Sequence, residues 1–156
     1  MEPKHSYRAF REEVPDEEEL MAIGKAEVVR EGQDLTVVSW GAMMRPTLEA
    51  IDSVGSARGV SIELIDLLTI APMDAATIVA SVKKTGRCVV VQEAPKTLGP
   101  ASEIIARIND SALLYLEAPV GRITMPDVVT PYFARERLYL PSAGQIGQVI
   151  QDTLDF

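Results

Sequence analysis

Short apolar runs rich in β-branched residues alternate with longer segments of helical periodicity, and this alternation restricts the fold more than any other feature of the sequence. Such runs, when glycine, proline or acidic turns bound them, are typical of strands. Strands that are separated by helix-length segments form right-handed crossovers and lie parallel in one sheet. The pattern predicts a three-layer α/β/α domain whose mostly parallel, five-stranded sheet covers residues 26–30, 35–40, 60–67, 88–92 and 120–124.

The intervening segments carry the start and stop signals of helices. Asp74 is expected to be an N-cap and Gly86 the C-cap of the same helix, and Ser142 with Gln145 predicts a capping box. Pro46 falls in a first turn, where its missing N–H costs nothing. The apolar stripes of the predicted helices are formed by Met44, Thr47, Leu48 and Ile51, by Ile78, Val79 and Val82, by Ala101, Ile104, Ile105 and Ile108, and by Ile146, Val149, Ile150, Thr153 and Leu154.

Two segments depart from the alternation. Residues 125–141 contain three prolines and are predicted to be irregular. Residues 1–22 carry an acidic run and two prolines, which indicates a solvated arm or linker rather than a helix. Tyr7 and Phe10 are apolar residues of this arm and are expected to lie on the domain surface. The sequence therefore divides into an arm, residues 1–22, and one domain, residues 23–156.

The charge of the chain restricts its partners. Fifteen basic residues against 23 acidic residues give a net charge of −8. An acidic surface repels phosphate backbones, so nucleic acid is not an expected partner, whereas a basic protein is. No apolar run approaches the roughly 20 residues of a membrane span, and no secretory signal precedes the domain, so a cytoplasmic location is expected.

The residues that most enzymes use for catalysis are scarce. The only histidine, His5, lies in the arm, and the only cysteine, Cys88, begins an apolar strand, where a buried and unreactive thiol is expected. No phosphate-binding loop, dinucleotide fingerprint or nucleophile elbow is present. These counts exclude a histidine-based triad and a cysteine-based zinc cage, and the residues alone predict no catalytic set, no cofactor site and no metal site.

One corner of the predicted sheet is a possible ligand site. Ser39 and Trp40 end one buried strand and Glu93 ends another. Ligands of open α/β sheets bind at the carboxyl ends of strands where the strand order reverses. The alternative is that Trp40 belongs to the core and Glu93 caps a loop, and the residues alone do not decide between the two.

Several long motifs resemble one known family. The stretches EPKHSYRAFREEVP, GKAEVVREGQDLTVVSWGAM, IDLLTIAPMDAATIVASVKKTGRCVVVQEAP and LEAPVGRIT, followed by PYF and LYLP, occur in the order in which the family has them. They resemble the beta subunit of thiamine-diphosphate-dependent 2-oxo acid dehydrogenases, which include pyruvate and branched-chain 2-oxo acid dehydrogenases. The resemblance covers the interdomain linker and the C-terminal domain of that subunit. One departure is Leu68, which stands where the family usually has arginine.

The resemblance implies the fold and the surroundings of the domain. A transketolase C-terminal domain has five strands in the order 1-3-2-4-5, with the first antiparallel. In the family, thiamine diphosphate and magnesium are held by the alpha subunit and by the amino-terminal half of the beta subunit, and that half is not in this sequence. The chain alone is therefore expected to be inactive and to bind no cofactor. The identity of the 2-oxo acid is not encoded in this part of the subunit.

The resemblance also implies partners. Paired beta subunits bind the small basic subunit-binding domain of the acyltransferase across their two-fold axis. Glu117 matches the family's glutamate in LEAP, and the sequence ends in Asp155 and Phe156 with a carboxylate, so these three residues are the expected docking site. From the residues alone, Glu117 is equally a loop charge or a partner contact.

Two functions remain open at this stage. The first is an assembly domain of a 2-oxo acid dehydrogenase, which forms a homodimer and docks the acyltransferase. The alternative is a free-standing module that binds a small ligand through Ser39, Trp40 and Glu93.

Overall fold

The described part of the chain comprises residues 20–156 together with Tyr7, Arg11, Glu13 and Asp16, in a computed structural model. His5 and Phe10 lie outside it, so the predicted packing of the arm stays a prediction, as does the division into arm and domain. Tyr7 is 65% exposed.

One five-stranded sheet forms the centre of the molecule, in the order β1-β3-β2-β4-β5. Strand β1 pairs antiparallel with β3, and the other neighbours are parallel. This confirms the predicted fold class and the order that the resemblance implied. The strands are β1 (Glu27–Arg30), β2 (Leu35–Ser39), β3 (Ile62–Asp66), β4 (Cys88–Pro95) and β5 (Gly121–Met125).

Helices cover both faces of the sheet, because alternate residues of each strand point to opposite sides. Val37 belongs to the apolar cluster under α1 and α5, whereas Val38 belongs to the cluster under α2 and α3. Both clusters are closed to solvent, so β2, β3 and most of β4 are buried on both faces, as the strands of parallel sheets are. The helices are α1 (Met44–Arg58), α2 (Ala75–Thr85), α3 (Pro100–Ala112), α4 (Glu136–Tyr139) and α5 (Ala143–Leu154).

The predicted caps are present. The Asp74 carboxylate accepts the N–H of Thr77 at 3.2 Å and also that of Ala26 at 3.2 Å, so it both begins α2 and holds the start of β1. Gly86 ends α2 with a φ of 71°, a left-handed conformation that glycine adopts without strain. The capping box of Ser142 and Gln145 begins α5.

The segment predicted to be irregular contains more structure than its prolines suggested. A 3₁₀ turn, Phe133–Arg135, leads into α4, which was missed. The nine residues between Pro131 and Pro141 hold no proline, and burial of Tyr139 to 7% exposure anchors the short helix. Tertiary packing therefore overrode a local pattern that predicted irregular backbone.

The topology gives the sheet two distinct ends. Strands β2 to β5 all finish at one end, which we call the carboxyl end. Helices α3 and α5 run back and finish at the other, the amino end: the Glu117 N–H that follows α3 bonds to the Gly86 carbonyl just before β4, and Thr153 of α5 lies over Gly121 at the start of β5.

Candidate partner interface

Glu117 is fixed at the amino end by its own backbone and by one cation. Its N–H donates to the Gly86 carbonyl over 2.8 Å. A Cβ on Gly86 would lie 2.9 Å from the Glu117 carboxyl carbon, so this close approach depends on glycine. The carboxylate forms an ion pair with the Arg87 guanidinium and keeps 59% of its side chain exposed. Glu117 is thus held in place but open to a second cation.

Phe156 and Glu117 both line one surface hollow of about 520 Å³. The two residues are 39 positions apart in sequence, and the structure brings them together because α5 and the loop after α3 both finish at the amino end. The Phe156 side chain is 77% exposed. The rest of the lining is mostly apolar and consists of Ile105, Asn109, Leu113, Leu116, Ala118, Pro119 and Val120.

Asp155 faces a different neighbour from the one expected. Its carboxylate accepts a hydrogen bond from the Arg58 guanidinium over 2.6 Å, and that bond lowers the pKa of Asp155. Arg58 is the last residue of α1, so one guanidinium compensates the negative charge at the ends of two helices. The charge at the end of α5 is therefore offset within the chain, and Asp155 is not among the residues that line the hollow.

Exposed apolar side chains adjoin the hollow. Leu113 and Tyr115 are more than half exposed and Leu114 is 97% exposed, in a 3₁₀ turn that follows α3. We call these three residues together with Phe156 the apolar rim. The sequence analysis did not single out this segment as a surface, although the run LLYL immediately after an amphipathic helix was the available signal.

The predicted ligand corner lies at the carboxyl end, and its three residues differ in accessibility. The Ser39 hydroxyl is wholly buried and accepts a hydrogen bond from the Thr47 hydroxyl at 3.4 Å. Trp40 is half-buried against the cluster under α2 and α3, and Glu93 is exposed. A ligand arriving from solvent would reach only Trp40 and Glu93, and the ligand corner stays a prediction.

Cys88 and the other remaining candidates for catalysis or metal binding lie in surroundings that indicate a structural role. Burial raises the pKa of the Cys88 thiol to about 12, which makes it the unreactive thiol that was expected. Within the described residues, the acidic, histidine and cysteine side chains form no group of three that could hold a metal ion. In the same part of the chain, no helix is long and apolar enough to span a membrane.

Comparison with family models gives a match over residues 24–146, to the model described as transketolase, C-terminal domain. The chain belongs to this family. The match spans the sheet and its flanking helices, and agrees with the fold and with the resemblance of the sequence motifs.

Curated relatives place this transketolase C-terminal domain within one class of subunit. It is 47% identical over 150 residues to the pyruvate dehydrogenase E1 component subunit beta of Bacillus subtilis, a match that covers 96% of this chain and 46% of that protein. The subunit of the same name from Staphylococcus aureus strain Mu50 is 44% identical over the same shares. The chain therefore spans less than half the length of these relatives, and what it matches is their C-terminal part.

Solved structures show the same fold. A chain of a split gene transketolase, described as an inactive beta4 tetramer, superposes with a TM-score of 0.74 at 24% identity over 86% of this chain and 43% of that chain. A 2-oxoglutarate:ferredoxin oxidoreductase from Magnetococcus marinus gives a TM-score of 0.55 at 16% identity, over 83% of this chain and 19% of that one. At such identities the likeness concerns the fold.

Proposed function

We propose that this domain is an assembly domain of the beta subunit of a 2-oxo acid dehydrogenase, which pairs with a second copy and docks the acyltransferase core through the amino end of its sheet. The observation that supports the proposal is that Glu117 and Phe156 line the same, mostly apolar hollow, beside the apolar rim. Two of the three residues expected for docking thus lie on one surface. The third, Asp155, is held by Arg58.

Pairing of two copies uses the apolar rim. A two-fold interface brings the same patch of both subunits together, so its residues must be self-complementary. Apolar side chains meet this condition, because they carry no charge that would repel its own copy. Leu114 is the most exposed residue of the rim and has the most surface to bury on pairing.

Docking uses Glu117 and the hollow. A basic partner side chain offers an apolar stem and a cationic head, and the hollow offers an apolar wall next to a carboxylate. An arginine head would share the Glu117 carboxylate with Arg87, and charge-assisted bonds of this kind are the strongest ordinary hydrogen bonds. The net charge of −8 adds long-range attraction for the small basic subunit-binding domain of the acyltransferase.

The rest of the parent enzyme supplies the cofactor and the catalytic groups that this domain lacks. We propose that it acts on pyruvate or a branched-chain 2-oxo acid in the cytoplasm, with thiamine diphosphate and magnesium held by the alpha subunit and the amino-terminal half of the beta subunit. The names of the curated relatives favour pyruvate. This domain then contributes assembly, and the cofactor and the reacting atoms lie elsewhere.

A titration of the acyltransferase subunit-binding domain of Bacillus subtilis onto this chain tests docking. Glu117→Ala should weaken binding by about 2–5 kcal/mol if the contact is buried. Glu103→Ala is the matched control, because Glu103 is a similarly exposed glutamate that is also paired with an arginine. Equal affinities of wild type and Glu117→Ala at low salt would remove Glu117 from the docking site.

Sedimentation of the chain with Leu114→Asp tests pairing. We expect the wild type to associate with rising concentration and the variant to remain a 17 kDa particle. Leu138→Asp is the control, since it adds the same charge at another strongly exposed leucine, outside the apolar rim. A wild type that stays at 17 kDa would show that this domain does not pair by itself.

A further inference from the structure

A second hollow lies along the outer edge of the sheet, between α3 and β5. It has a volume of about 460 Å³ and is lined by Lys96, Ser102, Ile105, Val120 and Arg122, and we call it the basic hollow. Among the described residues no further strand pairs with the outer edge of β5. The space beside α3 therefore stays open where the sheet ends.

The spacing of the residues along the chain explains why they line the same hollow. Ser102 and Ile105 are three positions apart in α3, so they lie on one side of the helix, whereas Ile104 is buried in the core. In β5, Arg122 is the partner of Val90, which belongs to the cluster under α2 and α3. Paired residues of neighbouring strands point to the same face of a sheet, so the Arg122 side chain lies on the face that α3 covers.

Uncharged atoms hold the Arg122 guanidinium in place. Its Nη1 donates to the Ser102 hydroxyl at 2.8 Å and to the Lys96 carbonyl at 3.3 Å. Within the described part of the chain, Arg122 forms no ion pair, and its Nε and Nη2 have no acceptor. These two nitrogens form one side of the planar guanidinium, the side that can bind a carboxylate or a phosphate through two parallel hydrogen bonds.

The acidic side chains that are closest in sequence to the basic hollow have other partners. Glu103 forms an ion pair with Arg107 at 2.8 Å, one turn further along α3. Asp127 accepts hydrogen bonds from the Thr97 N–H at 2.9 Å and from the Thr97 hydroxyl at 2.6 Å. These two bonds are the main cause of the lowered pKa of Asp127, and the charge of Lys96 is the smallest cause. No carboxylate among the described residues therefore forms an ion pair with either cation of the hollow, although the net charge of the chain is −8.

The lining of the basic hollow defines the chemistry of a ligand. An arginine and a lysine beside one cavity favour a carboxylate or a phosphate group. The Ser102 hydroxyl accepts its hydrogen bond from Arg122, so its own hydrogen is free to be donated to the same group. Ile105 and Val120 add an aliphatic wall, and a few polar groups beside apolar side chains are typical of small-molecule sites.

We infer that the basic hollow binds a small organic anion, a carboxylate or a phosphate compound with a short aliphatic body. Arg122 binds the anionic group through Nε and Nη2, and Lys96 adds the second positive charge. The inference does not rest on the proposed function, because the site is formed by one copy of the domain alone. Ile105 and Val120 also line the hollow of Glu117, but Arg122 and Lys96 line only the basic hollow, so their variants test it separately.

Titrations of this chain that are followed by amide NMR spectra test the inference. The probes are 3-methylbutyrate and inorganic phosphate, and sodium chloride keeps the ionic strength constant. We expect saturable shifts of the amide signals of Ser102, Ile105 and Arg122. Tighter binding of 3-methylbutyrate would identify the ligand as a carboxylate, and tighter binding of phosphate would identify it as a phosphate compound. An absence of saturable shifts with both probes overturns the inference.

Substitutions of the two cations sharpen the test. Arg122→Gln and Lys96→Gln should each weaken binding about tenfold, because each removes one charge-assisted contact. Arg45→Gln is the control, since it removes the same charge from α1, on the other face of the sheet, and should leave binding unchanged. Lys96 is exposed in a loop, so Lys96→Gln decides the matter even if Arg122→Gln does not fold. Equal affinities of the wild type and Lys96→Gln for both probes overturn the inference.

Two further variants separate this site from the docking site. Ile105→Ala should weaken the binding of 3-methylbutyrate more than that of phosphate, because only the former has an aliphatic body; an equal loss for both probes would remove the aliphatic wall from the site. Glu117→Ala should leave the binding of both probes unchanged, since Glu117 does not line the basic hollow. Docking and anion binding are therefore measured separately, and either proposal can fail while the other stands.

Discussion

The Arg58 guanidinium donates to the Asp155 carboxylate over 2.6 Å and connects the last residue of α1 to the C-cap of α5, 97 positions away. Both helices cover the same face of the sheet, and this bond closes their common end. It also decides the charge that the amino end shows to a partner, because Asp155 would otherwise add an uncompensated negative charge beside Phe156. The bond therefore bears on docking as well as on packing.

Removing Arg58 should accelerate docking. In Arg58→Ala the charge of the Asp155 carboxylate is no longer compensated, so it attracts a basic partner. We expect the basic subunit-binding domain to associate a few-fold faster at low salt and to lose this gain at high salt. Arg45→Ala changes the net charge equally and breaks a pair with Glu49 on the same helix, so it is the control. Stopped-flow association rates that are equal for the two variants would contradict the proposal that the charge of Asp155 attracts the docking partner.

Lys84 should be more important for stability than its partly exposed position suggests. It forms an ion pair with Glu63, whose side chain is 3% exposed in β3, and a second one with Glu31 at 3.2 Å. Lys84→Met leaves the Glu63 charge buried without a cation, and since a third of Lys84 is exposed we expect a loss of about 2–3 kcal/mol, at or below the usual cost of breaking a buried pair. Denaturant unfolding measures it.

Two further variants distinguish the loss of the Glu63–Lys84 ion pair from a general disturbance of the fold. Lys83→Met removes a neighbouring lysine that lies 5.1 Å from the Tyr115 ring and should cost less than about 1 kcal/mol. The double variant Glu63→Gln with Lys84→Met should recover most of the loss, because no buried charge remains. A single Lys84→Met variant as stable as Lys83→Met would refute the role of the pair.

Glu63 should also make the domain sensitive to acid. Burial pushes the pKa of Glu63 upward, but the bonds from Lys84, Ser81 and the Gly32 N–H outweigh it, so the net pKa is lowered from its ordinary 4.5. An unfolded Glu63 therefore takes up a proton before the folded one does. Its contribution to stability is complete above pH 4.5 and is lost as the pH falls through the lowered pKa.

Unfolding free energies measured between about pH 6 and pH 3 check this expectation. Glu63→Gln should lessen the decline at low pH, whereas Glu103→Gln, on the surface of α3, should leave the decline unchanged. A decline as steep in Glu63→Gln as in the wild type would assign the acid sensitivity to other carboxylates.

Gly99 should tolerate no side chain, although its backbone is ordinary. A Cβ there would lie 2.2 Å from the Gln92 amide nitrogen. That amide is fixed, since its oxygen accepts the Ala101 N–H at 2.8 Å and its nitrogen donates to the Pro95 carbonyl at 2.9 Å. Gly99→Ala should therefore cost about 1–3 kcal/mol. In Gly144→Ala the new methyl group meets open space within a helix, so a gain of about 0.5–1 kcal/mol is expected. Thermal unfolding of both variants provides the comparison.

The chain by itself should not bind thiamine diphosphate. The sequence has no phosphate-binding loop, and among the described residues no cluster of acidic, histidine and cysteine side chains is suited to magnesium. Calorimetric titration with the cofactor and magnesium should give only the heat of dilution. A micromolar site would place part of the cofactor machinery in this half of the subunit.

The order of elements and most of their ends were predictable from the sequence, because they depend on neighbours in the chain. The N-cap of Asp74, the left-handed Gly86 and the capping box of Ser142 are interactions over three or four residues, and the pattern of apolar runs sets the number of strands. The strand order came only from the family resemblance. Helix α4 was missed, because the burial of Tyr139 depends on the tertiary structure and no local pattern encodes it.

The partner interface was accessible only in part. Glu117 and Phe156 were singled out by resemblance, but their meeting in one hollow depends on α3 and α5 both finishing at the amino end. The pairing of Asp155 with Arg58, and of Glu63 with Lys84, was equally hidden. A sequence shows which charged side chains are present, whereas the fold of the chain determines which of them form ion pairs. Local backbone preferences act over a few residues, so the sequence alone determined all the strands and every helix except α4. Ion pairs and surfaces join residues far apart, so only the tertiary structure decided them.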